Sequence, residues 1–139
     1  MQTYCVSVDI CSDDVTLGEM VQVLGMPDKK GSFERGRRMK LLKEQKPFIG
    51  KTACWRIEST IANDKPVDLH LKSLYRRTAK NIARARQEFG DRIRIAVNIG
   101  IFFGLSTTVR GMIKVSAFRL KDFVDIVDAV EISAYPYSE

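Results

Sequence analysis

The stretch VDLHLKSLYRRTAKNIARARQEF, residues 67–89, decides how the rest of the chain is interpreted. One face of it, at helical spacing, is mainly apolar and carries Leu71, Leu74, Tyr75, Thr78, Ile82 and Phe89. The opposite face carries Lys72, Arg76, Lys80 and Arg84, each four residues from the next. Gly90 follows as a stop signal. The stretch therefore predicts a long amphipathic helix with a buried apolar face and an exposed basic face.

Alternating apolar residues on both sides of this helix predict five strands, over residues 4–10, 52–59, 93–99, 109–115 and 130–136. Two further helices are expected. One begins after Thr16, with Glu19 completing a capping box, and ends at Gly25. The other begins after Ser116. The order β-α-β-α-β-β-α-β predicts an α+β two-layer sandwich with a mostly antiparallel five-stranded sheet and three helices.

The same periodicities predict the core and one irregularity. Gly100 and Gly104 are expected to allow a tight bend or bulge. The residues predicted to be largely buried are Val6, Val8, Leu24, Trp55, Ile57, Leu74, Ile82, Ile95, Val97, Phe123, Val127 and Ile132.

Composition limits the class of protein. The chain has 139 residues, of which 45% are hydrophobic and 29% charged, so we expect one soluble domain over residues 1–139. We do not expect a disordered chain, because large apolar residues occur at regular spacing. We do not expect a membrane span either, because the longest apolar run is too short to cross a bilayer. No secretory signal is visible. Cys5, Cys11 and Cys54 are an odd number without a close pair, so we expect a cytoplasmic protein without a disulfide.

Charge is concentrated in the middle of the chain. Residues 29–94 hold 19 Lys and Arg against 7 Asp and Glu, whereas the two flanks are acidic. Residues 28–50 are predicted to form a basic exposed loop, with a short helical turn at 36–43. This loop and the helix supply the predicted partner-binding residues, which are Arg35, Arg37, Arg38, Lys72, Arg76, Lys80 and Arg84. The alternative interpretation of the helix residues is an ordinary solvated face.

Sequence motifs for nucleotide binding, metal binding or catalysis are weak. Gly25 and Gly31 have the wrong spacing for a phosphate loop, and Ser32 follows Gly31 directly, without the Lys that the motif places between them. The three cysteines and His70 form no spaced pair typical of zinc sites. A Cys54/His70/Asp68 triad is conceivable, but nothing in the sequence brings these groups together. We therefore predict no catalytic residue, no cofactor and no metal.

Several short segments, in order, resemble the bacterial domain-of-unknown-function family 4279. They are the alternating strand at 4–10, Leu24-Gly25-Met26-Pro27 with Gly31 following, Trp55-Arg56-Ile57-Glu58-Ser59, the long helix, Met112-Ile113-Lys114-Val115-Ser116, and Val130-Glu131-Ile132-Ser133-Ala134-Tyr135. The resemblance implies a small cytosolic α+β domain without established catalytic residues, and some such proteins are encoded among toxin–immunity genes. The basic 29–51 segment departs from the family.

These observations favour a non-enzymatic interaction module, immunity-like, that binds an acidic protein partner. The alternative is a nucleic-acid-binding protein without sequence specificity, which would use the same basic residues on phosphates. The aromatic-rich signature of RNA-recognition sheets is absent from the strand at 93–99.

Overall fold

A four-stranded sheet organises the structure, a computed structural model that describes residues 2–36, 38–39, 48–104 and 117–137. The side chains of residues 38–39, 48–49, 117–118 and 137 lie outside this description. In spatial order the strands are β4 (Ala53–Glu58), β1 (Gln2–Ser12), β5 (Arg94–Gly104) and β6 (Ala129–Tyr137). A separate short pair joins β2 (Arg38–Met39) to β3 (Phe48–Ile49).

The direction of β6 makes the described sheet mixed. β1 is antiparallel to both β4 and β5, but β6 runs parallel to β5. Among the described residues the structure is α+β with a four-stranded mixed sheet and three α-helices, which matches the predicted five-stranded, mostly antiparallel sheet only in part. Two parallel strands need a crossover connection between them, and the connection from β5 to β6 contains the third helix. The predicted strand at 109–115 lies outside the described residues.

The helices begin and end largely where their capping residues predict. In α1 (Leu17–Leu24), the Thr16 side chain accepts the Glu19 N–H and the Glu19 side chain accepts the Thr16 N–H, which confirms the capping box. α2 (Val67–Phe89) has the predicted bounds. It stops at Gly90, whose φ of 56° favours glycine.

The third helix, α3 (Ala117–Val124), begins directly after Ser116, as predicted, and ends shortly before the chain enters β6. The reason lies at Asp128, where the chain joins the sheet. The Asp128 N–H donates to the Ile95 carbonyl, and the Ile95 N–H donates to Asp128 Oδ2. These bonds turn the chain into β6 one residue later.

The apolar core lies between the sheet and the helices. Val6, Val8 and Ile10 of β1 are fully buried there, beside side chains from all three helices. Ten of the twelve predicted core residues are buried, and Val127 is partly buried. Ile132 corrects the prediction, because it is 54% exposed. It lies on β6, an edge strand in the described sheet.

The segment predicted as an exposed basic loop is partly attached to the sheet. Phe33 and Cys54 exchange two backbone hydrogen bonds of 2.9 and 2.8 Å, and the Asp28 N–H donates to the Arg56 carbonyl. Residues 28–33 therefore run along the outer edge of β4, while Lys29 and Lys30 are exposed. At residues 38–39 the chain forms β2 where a helical turn was predicted.

Gly100 also differs from the prediction, since it lies opposite Cys5 in an unbroken register, without a bulge. Within the described part of the chain, no helix combines the length and apolarity needed to traverse a bilayer.

Candidate functional site

The basic face of α2, defined by Lys72, Arg76, Lys80 and Arg84, points away from the core. Arg76, Lys80 and Arg84 are exposed, whereas Lys72 is half-buried. The four-residue spacing produces this arrangement, because α2 buries its other side against the sheet.

The cations on this face lack partners among the described residues. The ion pairs of the described residues use other arginines. They join Arg56 to Asp9, Arg86 to Asp128, Arg94 to Glu131 and Arg119 to Asp122. Arg76, Lys80 and Arg84 form no ion pair with any described carboxylate. Their positive charges are therefore available to a partner.

A shallow apolar groove adjoins the N-terminal half of the basic face. It is lined by Ile61, Leu69, Lys72, Ser73, Arg76 and Arg77. Leu69 is 46% exposed, which places an apolar side chain beside the cations. Arg77 is held in position by a 2.9 Å hydrogen bond from Nη1 to the Glu58 carbonyl.

The loop arginines are located only in part. Arg35 is exposed, and its Nη1 donates to the Asp13 carbonyl over 2.8 Å, at the connection between β1 and α1. The side chains of Arg37 and Arg38 lie outside the described residues. That Arg35, Arg37 and Arg38 form one patch with the basic face of α2 stays a prediction.

A second surface, the open face of the sheet, lies opposite the helices. Its side chains alternate with the core residues along each strand. They form a cleft of about 460 Å³ whose lining includes Cys5, Ser7, Asp9, Cys11, Arg56, Arg94, Asn98, Gly100, Phe102, Glu131, Ser133 and Tyr135.

Asp9 is the centre of the polar network in this cleft. Its carboxylate accepts two hydrogen bonds from Arg56, from Nε at 2.7 Å and Nη2 at 2.8 Å. Asn98 Nδ2 donates to the same carboxylate over 2.6 Å, and Ser7 Oγ over 3.2 Å. Asp9 is 6% exposed, so these donors replace the hydrogen bonds to water that burial removes. The hydrogen bonds to Asp9 raise the pKa of Arg56, which stays charged.

Gly31 makes room for the Arg56 side chain. A Cβ built at Gly31 would lie 2.6 Å from Arg56 Cδ and 2.8 Å from Nη1. Its φ of 84° also favours glycine. The 28–33 segment therefore packs its backbone directly against the guanidinium group.

Cys5 carries the thiol of the open face, and that thiol is not activated. Its Sγ donates to Glu58 Oε1 over 2.7 Å. Burial, together with this hydrogen bond and the charge of Glu58, raises the pKa of Cys5 to about 11. The group therefore stays protonated at neutral pH, which disfavours a role as nucleophile.

The other two cysteines correct the prediction that the chain has no disulfide. Cys11 and Cys54 lie directly opposite each other on β1 and β4, and the structure joins them as a disulfide. The sequence could not show this, because 43 residues separate them and only the strand register brings them together. Cytoplasmic localisation therefore stays a prediction, since one of its arguments, the cysteine pattern, is weakened.

His70 does not join the conceivable triad with Cys54 and Asp68. It is buried, and its Nδ1 lies 2.8 Å from Ser59 Oγ. Burial lowers the pKa of His70, and the Lys65 and Ala62 carbonyl groups only partly oppose this effect. Its Nε2 has no hydrogen-bond partner among the described residues, so no acid there orients the ring as a triad requires.

Metal ligands do not cluster in the described ranges. Residues 2–36, 48–104 and 117–137 contain no group of three His, Cys, Asp or Glu side chains able to hold an ion together.

Comparisons with protein-family models, with curated proteins and with solved structures find no match. Membership of the domain-of-unknown-function family 4279 therefore stays a prediction from the short segments that resemble it.

Proposed function

We propose that this chain is a non-enzymatic interaction module, immunity-like, which binds an acidic protein through the basic face of α2. The observation that carries the proposal is the exposure of Arg76, Lys80 and Arg84 without an ion-pair partner among the described residues. Like charges four residues apart on a helix are mildly destabilising. An acidic partner supplies the missing counter-charges.

The groove beside the basic face favours a protein over a nucleic acid as the partner. Leu69 and Ile61 offer apolar contact area next to Arg76 and Arg77. The centres of protein interfaces combine apolar side chains with arginine, whereas phosphate backbones offer no apolar surface. The alternative is nucleic-acid binding, and the experiment must distinguish it from binding to an acidic protein.

The experiment compares two triple variants with the same change in net charge. The test variant is Arg76→Ala, Lys80→Ala, Arg84→Ala, which leaves folding nearly intact because exposed charges contribute little to stability. The control variant is Lys29→Ala, Lys65→Ala, Lys121→Ala, which removes three exposed lysines from other parts of the surface. Each protein is immobilised and exposed to a lysate of the source cells, with and without nuclease treatment, and captured proteins are identified by mass spectrometry.

We expect the wild type and the control variant to capture the same acidic protein, and the test variant to lose it. The purified partner should then bind the wild type with an affinity that falls as salt rises, because rim charges steer association. Equal capture by the two variants contradicts the proposal, since net charge alone would then explain binding. Capture that disappears with nuclease treatment supports the nucleic-acid alternative.

A further inference from the structure

The open face of the sheet contains a cleft that the interaction surface on α2 does not use. The two surfaces are separated by the sheet and the core, because α2 packs on the opposite side of β1. The cleft measures about 460 Å³, within the range of about 300–1,000 Å³ of small-molecule sites. Three features of its walls define what it can bind.

The first feature is a polar floor held rigidly by Asp9. The Asp9 carboxylate fixes Arg56 and Asn98 through three short hydrogen bonds. Arg56 Nη1 and Asn98 Oδ1 have no hydrogen bond among the described residues, and Asn98 Oδ1 is not buried. A fixed donor and a fixed acceptor therefore remain for a ligand on the same floor.

The second feature is an aromatic wall at one end. Phe102 of β5 and Tyr135 of β6 lie opposite each other in the parallel register. Their rings stack at a centroid distance of 5.1 Å with 21° between planes, and they are 36% and 48% exposed. Gly100 lies below them, where a Cβ would lie 3.5 Å from one ring and 3.6 Å from the other. The two rings therefore lie over Gly100, at van der Waals distance from the position of a Cβ.

The third feature is a balance of charge. Two arginines, Arg56 and Arg94, face two carboxylates, Asp9 and Glu131, among the lining residues. Each arginine is paired with one of the carboxylates. A ligand gains no net electrostatic attraction here, so the cleft favours an uncharged group over a free phosphate or a cation.

We propose that this cleft binds a nucleobase, a flat uncharged ring with donors and acceptors along its edge. The ring stacks on the Phe102–Tyr135 wall, and its edge pairs with Asn98 and Arg56. Stacking on aromatic side chains combined with edge hydrogen bonds is how proteins hold unpaired bases. The base can come from a free nucleoside or from single-stranded nucleic acid, since both present the same chemistry.

The test uses two probes with the full-length protein. Adenosine, guanosine, cytidine and uridine are titrated by calorimetry up to millimolar concentration, and fluorescein-labelled single-stranded RNA is titrated by anisotropy. The variants are Phe102→Ala and Tyr135→Ala, whose side chains are exposed enough to spare the fold. The matched control is Val124→Ala on α3, an apolar residue that is 59% exposed outside the cleft. Melting temperatures confirm that each variant is folded.

We expect at least one nucleoside to bind, and each aromatic substitution to weaken it about fivefold or more. Val124→Ala should bind as the wild type does. Asn98→Ala should change the preference among the four nucleosides, because it removes an edge contact.

The two probes separate the sources of the base. RNA binding more than about tenfold tighter than nucleoside binding, and lost with Phe102→Ala, assigns the cleft to single strands. If the RNA binds no more tightly than the nucleosides do, the cleft is assigned to free nucleosides. Failure of both probes, or binding unchanged in both aromatic variants, overturns the proposal.

The Arg76→Ala, Lys80→Ala, Arg84→Ala protein keeps the two proposals distinct. We expect this variant to bind nucleosides as the wild type does, whether or not the basic face of α2 proves to bind an acidic protein. Loss of nucleoside binding in that variant would assign the ligand to α2 and overturn the cleft.

Discussion

At the scale of single residues, Asp9 shows how one buried carboxylate orders a surface. Four hydrogen bonds from three side chains converge on it, and each donor comes from a sheet strand. Alternation in β1 predicts only that Asp9 and Ser7 face away from the core. That they meet Arg56 and Asn98 depends on the register, which pairs Asp9 with Arg56 on one side and with Ala96 on the other. Long-range pairing of this kind is not encoded in any local pattern.

Replacing Asp9 by alanine tests this network. Arg56, whose side chain is 32% exposed, would lose its counter-charge and both carboxylate oxygens that accept its hydrogen bonds. We expect the free energy of unfolding to fall by about 2–4 kcal/mol, less than for a fully buried pair because water reaches part of Arg56. Urea denaturation measures the loss. Asp64→Ala, an exposed aspartate without a hydrogen bond among the described residues, is the control. Equal midpoints for the two variants would contradict a stabilising role for the network.

At the scale of elements, the N-terminus of α1 is capped from two places in the chain. The local cap, Thr16 with Glu19, is visible in the sequence because its partners are three residues apart. The second contribution is not visible there. Glu34 accepts hydrogen bonds from the N–H groups of Leu17 and Gly18, at 2.9 and 3.2 Å, after a connection of 16 residues. This contact fastens the 28–36 segment to α1.

Glu34→Gln should therefore weaken α1 in a pH-dependent way. Burial alone would raise the pKa of Glu34, but the N–H groups of Leu17, Arg35 and Gly18 hold it below its ordinary value of 4.5. A lowered folded-state pKa gives stabilisation that is complete above pH 4.5 and lost as the pH falls through the folded-state pKa. We expect a loss of about 0.5–1 kcal/mol at neutral pH, typical of a carboxylate at a helix N-terminus.

Urea denaturation of wild type and variant, at neutral pH and in acid, measures this difference. The gap between the two proteins should narrow in acid. Glu88→Gln, on the exposed side of α2, serves as control and should give no comparable gap. A constant gap at every pH would show that the charge of Glu34 is not the stabilising factor.

At the scale of the whole molecule, the structure has two unlike faces. The helix side presents the uncompensated cations of α2, whereas the open face of the sheet presents paired charges around a cleft. The amphipathic pattern of residues 67–89 is sufficient to predict the helix and its outward basic side. It cannot predict how far three helices extend across a sheet, since that depends on packing between elements distant in the sequence.

The last prediction compares the same substitution at two isoleucines of neighbouring strands. Ile95 on β5 is fully buried, whereas Ile132 on the neighbouring β6 is 54% exposed. Ile95→Ala should lower the free energy of unfolding by about 2–5 kcal/mol, through lost burial and the cavity it leaves. Ile132→Ala should cost less than about 1 kcal/mol, mainly through lower strand propensity. Thermal and urea denaturation measure both variants. Equal losses would mean that the core continues over β6, and no loss at Ile95 would contradict its place in the core.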